Sequence, residues 1–253
     1  MRQVALVLAA AGLVAGLAFA FTAGGHAGAR PDLDAAAART ATTASARWVI
    51  HVRMTHAGEP VSLHIRGQSG PHMLSVKMRL GDSVLADGTK VPGMNGAALL
   101  DGPYLYERAP GALALYGAIR WLRLRVGSLP AGGNDLDAVR SLSPVPLLRV
   151  LRHARLARLR PGSRSFHGTL AYDDPSVRAG LAKLTGGLEF RGLRISGLVG
   201  RDGLVHRVVL TGRTADGKTT LSLRAHLFAF GTRFHVKPPP PGTFIDDQAG
   251  IAA

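Results

Sequence analysis

Sixteen Asp and Glu stand against 31 Lys and Arg and ten His in this 253-residue chain, so the residues able to do chemistry are mostly cations and imidazoles. The carboxylate pairs that occur, Asp173-Asp174 and Asp246-Asp247, sit at a turn and in the tail, and the first reads as a helix cap. No G-x-S-x-G, H-E-x-x-H, P-loop or G-x-G-x-x-G is present. A Ser/His/Asp triad is defined by geometry, and ten histidines offer no unique choice. His51 and His64 fall at matching outward positions of neighbouring strands, which invites a metal reading. No carboxylate supports them, and exposed imidazoles on a polar sheet face are the simpler account. With no cysteine in the chain, disulfides, thiolate ligands, cysteine nucleophiles and a lipid-modified N-terminal Cys are excluded. The expectation is a protein that is not an enzyme, with no catalytic residue, metal or cofactor.

The arginines form the stronger pattern. Arg120, Arg123 and Arg125 flank Trp121, and Arg149, Arg152 and Arg155 follow a helical stripe continued by Arg158 and Arg160. They read either as a solvated outer face or as a surface for phosphate, which guanidinium binds bidentately. On the second reading Arg149, Arg152 and Arg155 meet a headgroup or an anionic membrane surface. A formal charge of +15 fits nucleic acid as well as lipid, and the N-terminus separates the two. From Gln3 to Ala29 there is no charge, and Val4–Phe21 is long for an export signal and just long enough for a membrane anchor. Ala18-Phe19-Ala20 and Ala27-Gly28-Ala29 both suit a signal peptidase. Residues 1–29 are therefore expected to be a signal peptide or anchor, 30–247 one domain, and 248–253 a tail. Either way the domain lies outside the cytoplasm, secreted or held at the outer face of the membrane. That removes nucleic acid from the expected partners and leaves a monomer facing the envelope.

The elements that position these residues follow from periodicity. Asp34–Ala46 can open as a helix capped by Asp32 or Asp34. From Trp48 the period is two: Trp48, Ile50, Val52 and Met54 share one face while His51 and Arg53 share the other. The pattern repeats in Val61–Arg66 and Leu74–Leu80, then in AALLD, YLYER and RWLRLRV, joined by short Gly- and Pro-bearing turns and, between the last two, by the longer APGALALYGAI connection. These six strands make an antiparallel meander, apolar on one face. SPVPLLRVLRHARL then takes a helical period, with Leu147, Val150, Leu151 and Ala154 on its apolar stripe. Strands follow at about Leu156–Arg160 and His167–Tyr172, with a short helix in DPSVRAGLAKL opened by Asp174 and Pro175. Four more strands are expected in LEFRGLRI, LVHRVVLTGRT, TTLSLRAHLF and RFHVKPP, the first three divided by the Asp-Gly turns at Asp202-Gly203 and Asp216-Gly217. PPPPGTFIDDQAGIAA reads as an extended tail. The fold class expected is α+β, a large curved antiparallel sheet forming a half-open barrel with helices packed in its concave face.

The order of these pieces resembles the LolA-like and LppX/LprG-like envelope lipoprotein carriers of actinobacterial type, over about Ala35 to Asp247. The cues are Gly102–Arg108 with its tyrosine strand, Trp121-Leu122-Arg123-Leu124, Ser143-Pro144 through Leu151, Gly168–Tyr172, Arg201–Val208 and Phe228–Gly231 followed by Phe234 to Pro239. The chain departs from the pattern in lacking the lipobox cysteine and in carrying Gly200-Arg201 where relatives often have a tryptophan and an acid. The resemblance implies non-catalytic binding and transfer of lipid or lipoprotein acyl chains, its partner being a lipid or acylated lipoprotein. The alternative is an envelope sensor of the same fold that contacts a membrane regulator. Alternation and the helix stripe nominate Leu74, Val76, Met78, Tyr104, Tyr106, Trp121, Leu147 and Leu151 as cavity wall. Trp121 conflicts with that set, since it alternates with Arg123 and Arg125 against Leu122, Leu124 and Val126. An inward leucine face puts Trp121 outside or at the rim.

Overall fold

The computed structural model describes residues 31–56, 58–70, 73–84, 90–108, 119–126, 143–156, 164–185 and 188–246. The expected N-terminal signal or anchor, the APGALALYG connection and the tail from 248 lie outside these residues. Among the described residues no helix is long and apolar enough to cross a membrane.

Helix α1 (Pro31–Thr42) leads into β1 (Ala46–His56), β2 (Glu59–Gly70) and β3 (Met73–Leu80). In register, Ile50 faces Ile65 and Val52 faces Leu63, so the alternation in sequence becomes matched apolar pairs on one face. A two-stranded hairpin, β4 (Ser83–Val84) and β5 (Lys90–Val91), interrupts the meander before β6 (Met94–Asp101), β7 (Tyr104–Arg108) and β8 (Trp121–Arg125). The chain then forms α2 (Val145–Val150) and a 3₁₀ turn, Leu151–His153. Strands β9 (Arg155–Leu156) and β10 (Ser165–Leu170), helix α3 (Pro175–Thr185), and β11 (Phe190–Val199), β12 (Val205–Thr214) and β13 (Thr219–Phe228) follow, with β14 (Phe244–Asp246) last.

Twelve strands make one sheet in the order β14-β8-β7-β6-β3-β2-β1-β13-β12-β11-β10-β9. All neighbours are antiparallel except β14, which runs parallel to β8. The terminal strands β14 and β9 do not pair, so the curved sheet stays unclosed as the sequence implies. The inward residues of β1 to β3 and β10 to β13 form one core with Leu33, Ala36 and Ala37 of α1, Leu147, Leu148 and Val150 of α2, and Val177 and Leu181 of α3. Among the described residues three helices thus occupy one face.

Local chemistry fixes their seats. In α1 the buried Thr40 hydroxyl donates to the Ala36 carbonyl at 2.6 Å and accepts the Val205 N–H at 2.8 Å, pinning the helix to the start of β12. The expected Asp-Gly turns occur on either side of β12, with Gly203 at φ 71° and Gly217 at φ 72°, where a β-carbon would be strained. Asp174 caps α3 by accepting the Ser176 N–H at 2.8 Å, as the sequence suggests. Its other oxygen meets His153 Nδ1 at 2.9 Å and ties the end of the 3₁₀ turn to α3.

Three expected elements differ. The long helix from Ser143 to Leu156 is six residues plus the 3₁₀ turn, because Ala154 is already extended and Arg155-Leu156 joins the sheet. RFHVKPP is not a strand: its prolines carry no N–H for a ladder. Instead Phe244–Asp246, expected as tail, adds the parallel strand at the β8 edge.

Candidate functional site

The site is built where strand ends converge. The C-terminus of α1, the start of β1, the ends of β2 and β13, the beginning of β3, the β6–β7 turn and the N-terminus of α2 border a half-open cavity of about 620 Å³. Its apolar wall includes Trp48, Met73, Leu74, Leu100, Leu148 and Leu227. Polar groups are few: Thr40, Thr43, Ser69 and Ser143. Two of these hydroxyls are already donors to backbone, Thr40 to Ala36 and Thr43 to Arg39, and the Ser143 oxygen accepts the Val145 N–H at 3.4 Å. Among the described lining residues there is no carboxylate or cation. An apolar pocket of this size, with a handful of polar groups, suits a small hydrophobic ligand.

Trp48 anchors the wall. It is 1% exposed and stands directly opposite Gly67 of β2. The indole lies over Gly67 so closely that a β-carbon there would collide with Cζ2 and Cε2. Glycine therefore supplies the room that lets a tryptophan lie flat across the neighbouring strand. The indole N–H is buried with no acceptor within reach. Such a donor is uncommon in a folded interior and carries a desolvation cost.

Of the residues nominated from sequence, Leu74 lines this cavity. Val76 shares its face and is buried in the core, as are Leu147 and Leu151, but none of these three is among the lining residues. Met78 is half-buried on the same strand. Tyr104, Tyr106 and Trp121 belong elsewhere, which corrects their placement on the inner wall. Leu105 between the tyrosines is fully buried in the core, so Tyr104 and Tyr106 point to the opposite face. There Tyr106 pairs across to Arg123 and packs edge-on against Phe244, ring centroids 5.6 Å apart. Trp121 shares the parity of Arg123 and stands beside Phe244 in the parallel pair. Leu122 and Leu124 pack inward, the outcome the alternation of RWLRLRV allows.

This outer cluster is held by Arg123, which donates to both oxygens of Asp246 at 2.5 and 2.8 Å and lies over the Tyr104 and Phe244 rings. The hydrogen bond from Arg123 is the chief cause holding the Asp246 carboxyl below its usual range. These contacts fasten β14 to the sheet edge.

The three nominated arginines do not line the first cavity. Arg149, Arg152 and Arg155 are exposed. Arg155 lies on the helix-free face, opposite Thr169, in the wall of a second depression of about 600 Å³ with His167, Arg194, Ser196 and Thr211. His51 and His64 are directly paired and stacked, centroids 4.2 Å apart. Among the described residues no group of three His, Cys, Asp or Glu could hold a metal ion.

Trp48 and Leu148 line the cavity without being among the residues nominated from sequence. Trp48 does carry the inward parity of β1. Leu148 adjoins the nominated Leu147, and a two-turn helix wedged between sheet and α1 buries both. Ser69, Gly70, Gly102 and Pro103 carry no signal beyond marking turns.

No family model matches the chain, and no curated protein matches it. Several solved structures are similar. LprF from Mycobacterium bovis aligns over 83% of this chain and 96% of its own, at 12% identity and a TM-score of 0.47. A LolA superfamily protein from Nitrosomonas europaea aligns over 83% and 96%, at 12% identity and a TM-score of 0.27. A putative outer membrane lipoprotein-sorting protein domain from Vibrio parahaemolyticus aligns over 81% and 92%, at 9% identity and a TM-score of 0.26.

Proposed function

We infer that this protein binds the acyl part of a lipid or acylated lipoprotein outside the cytoplasm and passes it on without chemical change. The observation that carries the reading is the cavity between α1, α2 and the strand ends, whose described lining is mainly apolar side chains with none charged. Burial of an acyl chain gains about 0.8 kcal/mol per methylene, so a dozen methylenes supply roughly 10 kcal/mol before ordering costs. Affinity of that kind needs no catalytic group.

The uncharged stretch Gln3–Ala29 supports an extracytoplasmic setting, as signal or as anchor.

Native mass spectrometry of the full chain, purified from a membrane-containing host, tests the reading. Co-purified acyl lipid that is lost on Leu148→Asp, with the fold retained by circular dichroism, supports it. A chain that emerges empty, binds no fluorescent fatty acid and instead retains a membrane protein in pull-down turns the assignment to the sensor alternative.

A further inference from the structure

The face of the sheet turned away from the helices carries charge in an order that packing does not require. Across β13, β1, β2 and β3 the directly paired outward residues are Arg224, His51, His64 and Arg79. The adjoining row sets Arg207 against His226 and Arg66 against Lys77. On the other side Arg194 of β11 and Arg53 of β1 continue the pattern. In strands β10 to β13 and β1 to β3 the one carboxylate is Glu59, at the first position of β2 and of the inward parity.

Like charges placed directly opposite on neighbouring strands repel, and stability alone gives no reason to set Arg66 against Lys77 or Arg191 against Arg213. The crowding is visible at His64. Burial first, then the neighbouring His51, Arg66 and Arg79, hold its imidazole below the ordinary value. The lone pair of its Nε2 accepts from Arg66 at 3.3 Å, a contact between two basic groups that no carboxylate mediates. A surface of this kind is complemented by an anion spread over many strands.

Three features favour lipid headgroups over a nucleic acid. Phe228, 43% exposed, is the large hydrophobic left out in solvent among the described residues, and it borders this face directly opposite Arg47. An aromatic at the margin of a cationic surface is an interfacial anchor. The cationic rows lack the interleaved aromatic platforms on which bases stack. The depression between Arg155 and Arg194, both paired to Thr169, opens on the same face.

We propose that this outer sheet face docks the protein on an anionic lipid bilayer, its cationic rows against headgroup phosphates and Phe228 at the interface. The surface is separate from the acyl cavity, so the two assignments stand or fall independently.

The cysteine-free chain allows single labels. Full-length protein carrying Ser62→Cys on this face, or Ser176→Cys on α3, is labelled with a fluorophore and mixed with vesicles bearing a headgroup-attached quencher. On phosphatidylglycerol-containing vesicles the Ser62 label is quenched at least about twofold more than the Ser176 label, and the difference vanishes near 0.5 M salt as the Debye length shrinks. It also vanishes in Arg66→Glu/Arg79→Glu/Arg224→Glu and is reduced in the milder triple Gln variant, whose folding is checked by circular dichroism. The N-terminal apolar stretch carries a single basic side chain, Arg2, so its own insertion depends only weakly on lipid charge and does not distinguish the two label positions. Equal quenching at both positions, or the same result on phosphatidylcholine vesicles, overturns the proposal. So does retention of the difference in the charge-reversed protein, or displacement by arbitrary-sequence duplex DNA at equal phosphate.

Discussion

The two faces of the sheet are written by the same residues in alternation, yet they obey opposite rules. Inward positions of β1 and β13, such as Ile50, Leu221 and Leu223, are almost wholly excluded from water and meet helices. Outward positions between them, His51, Arg53 and Arg224, lie on the face turned away from the described helices and meet no counter-charge within their strands. The inner face is determined by packing, and its sequence is accordingly Leu, Ile and Val. The outer face is free of that constraint, so its concentration of cations needs a different cause. Compositional enrichment in arginine accounts for number and not for the direct opposition of like charges across strands.

Breaking the inner face has the largest expected effect. Leu210→Ala or Leu223→Ala, each at a fully buried position, costs about 2–5 kcal/mol by urea unfolding, whereas Arg224→Ala one residue away stays within about 0.5 kcal/mol. Equal losses at Leu223 and Arg224 erase the contrast between the faces. Gly67→Val is next: its side chain collides with the Trp48 indole, so stability falls by about 1–3 kcal/mol and the cavity wall shifts. Trp48 emission, isolated in a Trp121→Phe background, moves to longer wavelength if the indole is expelled.

A smaller effect comes from the joint between α2 and α3. Burial raises the Asp174 carboxyl, but the Ser176 N–H and His153 outweigh it and leave it below the usual carboxylate value. A depressed carboxyl contributes stability above its unfolded-state pKa and loses it as pH falls through the folded value. Acid unfolding of Asp174→Asn is therefore shallower than that of the wild type below about pH 4, the ordinary carboxylate range. Parallel curves for the two proteins would remove the pair from the account. The smallest global change is expected at the outer edge, where Asp246→Asn releases the clamp from Arg123. Hydrogen exchange then speeds at the Phe244–Asp246 amides while β1 and β13 keep their protection.

Much of this plan is legible in sequence. The alternation of β1 to β3, the Asp-Gly turns around β12 and the Asp174-Pro175 helix start are local signals, and each is realised where it occurs. The failures are also physical. In YLYER both parities are apolar, so alternation cannot decide that Leu105 goes inward and the tyrosines outward. That choice is made by Leu124 and Arg123 on the next strand. Strand β14 pairs in parallel with a partner more than a hundred residues earlier, and a proline run hides it. The cavity lies at strand ends and turns, drawing on Thr40, Gly70, Gly102 and Ser143, residues that share no period.

The central claim, that the cavity behind Trp48 takes an acyl chain, is tested most directly by quenching. With Trp121→Phe, Trp48 is the lone tryptophan of the full chain. Titration with a fatty acid brominated along its chain should quench Trp48 emission in a saturable manner, and unbrominated fatty acid should reverse it. Trp48 emission that is unchanged, while Trp121 in a Trp48→Phe chain is quenched instead, would contradict the account and place the hydrocarbon on the outer face.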